Sequence, residues 1–379
     1  MDLTDSPQEA AFRTEARTWL EENVPREGLS SGDTREGFAR HLEWERQLFE
    51  ARWSVVSWPE QYGGRAATVW EWLVFEEEYY RANGPQRVTQ NGIFLLAPSL
   101  FAFGSQEQQD RLLPQMAAAT QLWCQGWSEP GSGSDLASIS SSATRDEAGG
   151  GWRLNGQKTW TTRGAFCTHL FGLFRSDPES VRHHGLTYFL VPLDSQGVTV
   201  RGFGRLDGDE GFADVFFDDV FVSDRDILGG IGQGWRVAMS TTSSERGLTL
   251  RSPGRFTAAV ERLRELAASE EGGLTDSLRH GVARAWMGAE AYRLFTLEQV
   301  TRMLDGSVRD AESSLNKVFW SELDIEINET AAAILGPCAE IDDAWSRSFM
   351  FSLGGPIYAG TNEIQRNLIA ERLLGMPRR

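Results

Sequence analysis

Apolar positions over the first 118 residues recur at the spacing of a buried helix face. Thr4 or Asp5 can cap a helix that runs through Ala11, Phe12, Ala16 and Leu20 and is ended by Pro25. Phe38, His41, Leu42, Trp44 and Leu48 continue the pattern, and Trp58-Pro-Glu-Gln-Tyr-Gly-Gly64 breaks it. Val69 to Ala82 reads as a helix whose Glu76, Glu77 and Glu78 form a solvated face. Ile93 to Phe103 reads as an apolar helix, and Ser105 with Gln108 forms a capping box for the next. From about 119 to 228 the period switches to two. Trp152-Arg-Leu, Leu170-Phe-Gly-Leu-Phe, Leu186-Thr-Tyr-Phe-Leu-Val, Val198-Thr-Val and Val215-Phe-Phe are short strands between turns. Residues 235–379 are helical again, with breaks near Gly272-Gly273, Gly306, Gly336-Pro337 and Gly354-Gly355-Pro356. The expected fold class is α+β, in three segments. They are an N-terminal helical domain (1–118), a middle small β-barrel or sandwich (119–230) and a C-terminal helical bundle of four-helix type (231–379).

Composition narrows the function classes. A net charge of -17 argues against nucleic acid and acidic membrane surfaces as partners. No run approaches the roughly 18 apolar residues of a membrane span, and the first residues lack signal-peptide character. Three distant cysteines (Cys124, Cys167, Cys338) make no disulfide framework, so a reducing cytoplasm is the expected compartment. The histidines lack metal-ligand spacing, and His183-His184 sits in a solvated turn. The acidic run Asp207, Asp209, Glu210, Asp214, Asp218 and Asp219 lacks the ligand order of an EF-hand and reads as solvated turns. Lysine occurs only at Lys158 and Lys317, which reads as a sequence bias toward arginine. Gly229-Gly-Ile-Gly-Gln-Gly234 lacks Gly-x-Gly-x-x-Gly spacing and a βαβ context, which excludes a Rossmann site.

Candidate chemistry lies in two stretches. Trp123-Cys-Gln-Gly-Trp-Ser-Glu-Pro-Gly-Ser-Gly-Ser-Asp135 ends a strand in a loop where Gly131 and Gly133 permit close backbone approach and Ser128, Ser132 and Ser134 offer hydroxyls. In Asn155-Gly-Gln-Lys-Thr-Trp-Thr-Thr162, Trp160 and Thr162 fall on one face of a strand, where an aromatic ring can be stacked and its edge hydrogen-bonded. Together these resemble the flavin-binding elements of the acyl-CoA dehydrogenase family. Trp-Pro-x-x-Tyr-Gly-Gly and the terminal Ile357-Tyr-Ala-Gly-Thr-Asn-Glu-Ile-Gln-Arg366 are similar to that family's N- and C-terminal regions. The resemblance implies FAD as cofactor, held by Gln125, Gly126, Trp127, Ser128, Gly133, Ser134, Trp160, Thr161, Thr162, Thr361 and Glu363. It implies a substrate site including Ser134, Arg246, Tyr358, Ala359 and Gly360, and no metal.

The implied reaction is α,β-dehydrogenation of an acyl-CoA thioester to the trans-2-enoyl-CoA, which needs a carboxylate to take the α-proton as hydride leaves the β-carbon. Many family members carry that base where this chain has Ala359. Others carry it early in the first long C-terminal helix, and there this chain has Glu245 within Ser243-Ser-Glu-Arg-Gly247. Ala238, Thr242, Glu245 and Thr249 share a helix face. The Ala359 peptide N–H could still donate to the thioester oxygen, a task that needs backbone and not a side chain. Two family elements are missing. The Arg-x-x-Phe-Gly segment with its downstream Gln is replaced by Glu265–His280, carrying Glu270-Glu271, and the Gln-x-x-Gly-Gly element reads Ala333-Ile-Leu-Gly-Pro-Cys338. The chain is therefore expected either as a homotetramer, with Arg279 or Arg284 serving FAD, or as the catalytic half of an α2β2 heterotetramer with a related subunit. Electrons would pass to an electron-transferring flavoprotein or an equivalent acceptor. Alternatives on the same scaffold are a flavin-dependent oxidase, desaturase or N-hydroxylase acting on a carrier-bound or small natural-product substrate, and a non-catalytic subunit of a heteromeric dehydrogenase.

Overall fold

Side-chain caps written into the sequence set where the helices begin. Ser6 accepts from the Glu9 N–H while Glu9 returns to the Ser6 N–H, and Pro7 occupies the first helical position. The cap is thus Ser6, and not Thr4 or Asp5, because the Asp5 carboxylate is engaged by Arg13 at 2.6 Å. Thr68–Glu71 and Ser105–Gln108 repeat the same box. A computed structural model describes residues 4–246, 252–270, 272–306, 312–341 and 344–377, without the side chains of 243–246. In chain order its helices are α1 (Pro7–Asn23), α2 (Arg35–Glu50), α3 (Val69–Arg81), α4 (Ala97–Phe103) and α5 (Gln106–Ala117), then α6 (Gly234–Arg246), α7 (Pro253–Ser269), α8 (Asp276–Leu304), α9 (Glu312–Leu335), α10 (Ala344–Ser352) and α11 (Asn362–Leu368). The helix expected from Ile93 is a π-turn over Asn91–Leu96 that passes into α4 at Ala97.

The strands lie between α5 and α6: β1 (Trp123–Gly126), β2 (Ser142–Asp146), β3 (Gly151–Thr162), β4 (His169–Arg175), β5 (Leu186–Pro192), β6 (Val198–Phe203), β7 (Phe212–Ser223) and β8 (Ile227–Leu228). They form one sheet in the order β6-β7-β3-β2-β4-β5-β8, and β1 adds in parallel to β4. β2 carries a single apolar residue and β8 is only two residues long, so neither is legible from alternation alone. This is the expected mixed fold, helices flanking a small β region.

Contacts divide the chain into two compact units. One comprises Glu27–Ala66 and Pro85–Glu245 and contains the whole sheet. Its core is built from inward positions such as Leu154, Leu170, Phe174, Phe189 and Val215. The other comprises Met1–Arg26, Ala67–Gly84 and Arg246–Arg379. Phe256, Tyr292, Trp320 and Ile327 centre its helical core. Gly254 allows α7 to approach α3, since a Cβ there would stand 2.9 Å from Glu76 O.

The Glu76–Glu78 triplet is not a solvated face. Glu76 and Glu78 are buried, and Glu78 accepts from Arg13, Arg17 and Arg81 at 2.8–3.0 Å. The arginines hold the Glu78 carboxyl down at about 2 against the opposing effect of its burial. Part of the acidic run also departs from the solvated reading: Asp207 pairs with Arg205 at 2.8 Å and is largely buried. Among the described residues no helix is long and apolar enough to cross a membrane, and no cluster of three or more His, Cys, Asp or Glu could hold a metal.

Glu78→Gln leaves three arginines facing an uncharged amide. It is expected to cost about 3 kcal/mol, read as a lowered urea midpoint. Because the folded-state pKa is depressed, the Glu78 contribution is complete above the ordinary value near 4.5 and lost as pH falls toward 2. An unchanged midpoint for the variant at pH 7 would contradict the hub.

Candidate active site

β1 is short because its parallel register on β4, Trp123↔His169 to Gly126↔Gly172, ends where Trp127 turns away. Gly126 is required there, since a Cβ would fall 2.5 Å from Leu170 Cδ1. Trp127 is buried edge-on to Tyr188 (6.3 Å, 82°), which stacks on Phe171 (6.0 Å, 5°). The loop then closes on itself: Glu129 and Ser132 exchange both backbone hydrogen bonds, and the Ser132 hydroxyl donates to Asp135 O at 2.8 Å. Ser132 is therefore committed to the loop, whereas Gly133 and Ser134 are exposed.

Two interactions join this loop to β3. Thr159 N donates to Ser128 O at 2.9 Å. Lys158 Nζ donates to Glu129 Oε1 at 2.7 Å, with both side chains almost fully buried. Glu129 also accepts from Ser141 N (2.9 Å), Ser140 N (2.7 Å) and Ser140 Oγ (2.8 Å). Lys158 and these donors hold the Glu129 carboxyl at about 2 despite its burial. Burial pushes the Lys158 ammonium down to about 8, against the pull of Glu129.

β3 carries a bulge at this point. Lys158 pairs with Val215 and Thr161 with Ala213, so Thr159 and Trp160 together oppose the single residue Asp214. Trp160 adopts φ 57°, uncommon for a bulky residue. By strict alternation Trp160 would follow Lys158 into the interior. The extra residue turns Thr161 inward instead and leaves Trp160 61% exposed, edge-on to Phe203 (5.2 Å) and Phe212 (5.4 Å). Beyond Thr162, Arg163 is left-handed as well (φ 54°) and buried, donating to Asp33 at 2.6 Å. Arg205 donates to the other Asp33 oxygen at 2.5 Å.

The second group of predicted residues lies in the helical unit. Ala359 (φ 58°) and Gly360 (φ 79°) form a left-handed turn, whose two carbonyls accept from Gln365 Nε2 at 3.3 Å each. Thr361 caps α11 through the Ile364 N–H. Asn362 is buried, and its Oδ1 accepts from Lys317 Nζ (2.8 Å) and Ser321 Oγ (3.2 Å) of α9. Tyr358 stacks on Trp320 at 6.0 Å, and Glu363 is exposed. Arg279 is exposed beside Asp276 (3.3 Å), and Arg284 pairs with Glu326 (2.9 Å).

Gln125, Gly126, Trp127, Ser128, Gly133, Ser134, Trp160, Thr161 and Thr162 thus belong to the sheet unit. Tyr358, Ala359, Gly360, Thr361 and Glu363 belong to the helical one. Glu245 and Arg246 occupy the last positions of α6, and their side chains lie outside the described residues, as does Thr249. Sequence reading gave no role to Glu129, Lys158, Lys317 or Asn362, which fix the geometry. The two lysines, read as the remainder of a bias toward arginine, are both fully buried. Their rarity was the available signal.

Three features of the sheet unit fit a flat, polar-edged cofactor. A Cβ on Gly131 or Gly133 would meet nothing within 4 Å, so the protein itself does not require glycine there. Trp127 Nε1 is buried with no hydrogen-bond partner among the described residues. Trp160 presents an open aromatic face, and Thr162 follows it two residues on.

Family models for the acyl-CoA dehydrogenase N-terminal, middle and C-terminal domains match residues 6–120, 124–220 and 232–374. Acyl-CoA dehydrogenase IpdE1 of Mycobacterium tuberculosis is 39% identical over 380 residues, 97% of each chain. Among solved structures, the Tcur3481-Tcur3483 steroid ACAD is 25% identical with a TM-score of 0.89 over all of both chains. The ChsE4-ChsE5 complex from Mycobacterium tuberculosis is 26% identical with a TM-score of 0.85, again over all of both. The chain belongs to the acyl-CoA dehydrogenase family, a family of flavin-dependent oxidoreductases.

Proposed function

We propose that this acyl-CoA dehydrogenase uses FAD, with Glu245 as the base that removes the α-proton of the thioester. The outward Trp160, released by the bulge beside the open glycine loop, carries the cofactor reading. When bound, FAD supplies a hydride acceptor at N5 for the substrate β-hydrogen. Ser128 and Thr162 would meet the ring edge and Trp160 its face. Gln125, Gly126, Trp127, Gly133, Ser134 and Thr161 would line the approach, and Thr361 and Glu363 would contribute from the terminal motif. Glu245 is the base because Ala359 has no titratable group. The Ala359 N–H would donate to the thioester oxygen, where negative charge grows as the α-proton departs. Ser134, Arg246, Tyr358 and Gly360 would hold the CoA arm and the acyl group. For these roles the divisions 1–118, 119–230 and 231–379 serve as the functional segments.

The substrate class we favour is the CoA ester of a bulky, steroid-derived acid, supported by the similarity to a steroid ACAD. An α2β2 assembly with a related subunit is supported by likeness to the two-component ChsE4-ChsE5 complex. The exposed Glu270, where a pyrophosphate contact would be basic, agrees with a partner supplying that contact. An electron-transferring flavoprotein or equivalent would take the electrons, and a cytoplasmic location fits all of these reactants.

Glu245→Gln is expected to keep its flavin and to reduce the rate of anaerobic flavin bleaching by acyl-CoA about a thousandfold. Stopped-flow absorbance at the flavin band checks this, and a wild-type rate would exclude Glu245 as the base. Thr162→Val is expected to weaken FAD binding by about 1 kcal/mol, about fivefold, through loss of one hydrogen bond to the ring edge. FAD titration reads the effect. A variant with unchanged FAD affinity would remove the Thr162 hydroxyl from the site.

A further inference from the structure

Of 37 basic side chains only Lys158 and Lys317 are lysines. Both are fully buried, the reverse of where lysine normally sits. A chain that uses arginine nearly everywhere has kept an ammonium at two interior points. The chemical difference is size and donor number: an ammonium is compact with three donors, whereas a guanidinium is a planar fork with five. At Lys158 the acceptors are Glu129 Oε1 at 2.7 Å and Trp127 O at 3.5 Å, and the Phe174 ring closes another side at 4.8 Å. That space does not suit a fork.

Each lysine anchors one of the two stretches that carry the predicted site. Lys158 lies two residues before Trp160 and, through Glu129, fixes the distance between the Ser128–Asp135 loop and the bulged strand. Lys317 projects from α9 onto Asn362, two residues after Gly360, and so fixes the left-handed turn at Ala359 and Gly360. We propose that the two lysines are positioning residues, Lys158 for the flavin seat and Lys317 for the turn that meets the thioester, and that arginine cannot replace either. The proposal rests on the flavin reading above.

The test uses Lys158→Arg, Lys158→Met, Lys317→Arg and Lys317→Met in the full chain, with a related subunit if the wild type requires one. FAD affinity is read by fluorescence titration, and amide exchange is read on FAD-free protein. Both Lys158 variants are expected to raise the FAD Kd about tenfold or more and to speed exchange in residues 128–141 but not in 359–364. Both Lys317 variants are expected to show the reverse exchange pattern and to lower kcat/KM about tenfold or more with FAD bound. Arginine variants with wild-type Kd, exchange and kcat/KM would overturn the proposal, because the lysines would then be interchangeable with the other basic residues. If the lysine variants do not fold, Ser140→Ala and Ser321→Ala each remove one donor to the same acceptors. They are expected to give the same local exchange patterns with about two- to fivefold functional effects, and no change in either would again overturn it. A wild type that binds no FAD in any assembly defeats the flavin reading, and the exchange patterns alone then decide the role of the lysines.

Discussion

A carboxylate and an ammonium buried against each other at 2.7 Å hold the sheet unit in its working shape. Burying either charge alone would cost several kcal/mol. The structure offsets that cost by giving Glu129 three further donors from Ser140 and Ser141. Such a network tolerates little displacement, because each donor fixes the carboxylate from a different direction. The Ser128–Thr159 hydrogen bond, the bulge and the outward Trp160 all lie within two residues of this pair along the chain. Asp33, held between Arg163 and Arg205, closes the far end of the same strand.

The bulge explains how one strand serves two purposes. Its early part, Trp152 and Leu154, packs into the sheet core by simple alternation. After Lys158 the phase changes, so that a tryptophan which would otherwise be buried becomes an exposed platform. A left-handed tryptophan is an unfavoured conformation, and such residues persist where the surroundings determine them from several sides. Phe203 and Phe212 provide that support from the neighbouring strands.

Much of this was legible from sequence because the relevant signals are local. The Ser105–Gln108 capping box, the change from helical to two-residue period, and the glycine breaks in the last third all correspond to observed boundaries. The flavin-type loop and strand were recognisable as motifs. What local pattern cannot reveal is which charges meet. Glu78 looked like a member of a solvated run because two of its three arginine partners, Arg13 and Arg17, are 65 and 61 residues away in sequence. Lys158 and Glu129 are 29 residues apart, and Lys317 and Asn362 are 45 apart. The bulge was equally invisible, since nothing in Lys-Thr-Trp-Thr-Thr announces a residue opposed by none. The misjudged charges arose because pairing partners are chosen by the fold and not by spacing.

The central claim is that these motifs seat a flavin that oxidises an acyl-CoA. The most direct measurement is the visible absorption spectrum of the purified protein, alone and with a related subunit, followed by anaerobic addition of steroid-derived and straight-chain acyl-CoA esters. The account predicts a yellow protein whose flavin band is bleached by the bulky esters. A protein that stays colourless in both assemblies, or one whose colour no CoA ester bleaches, would contradict it.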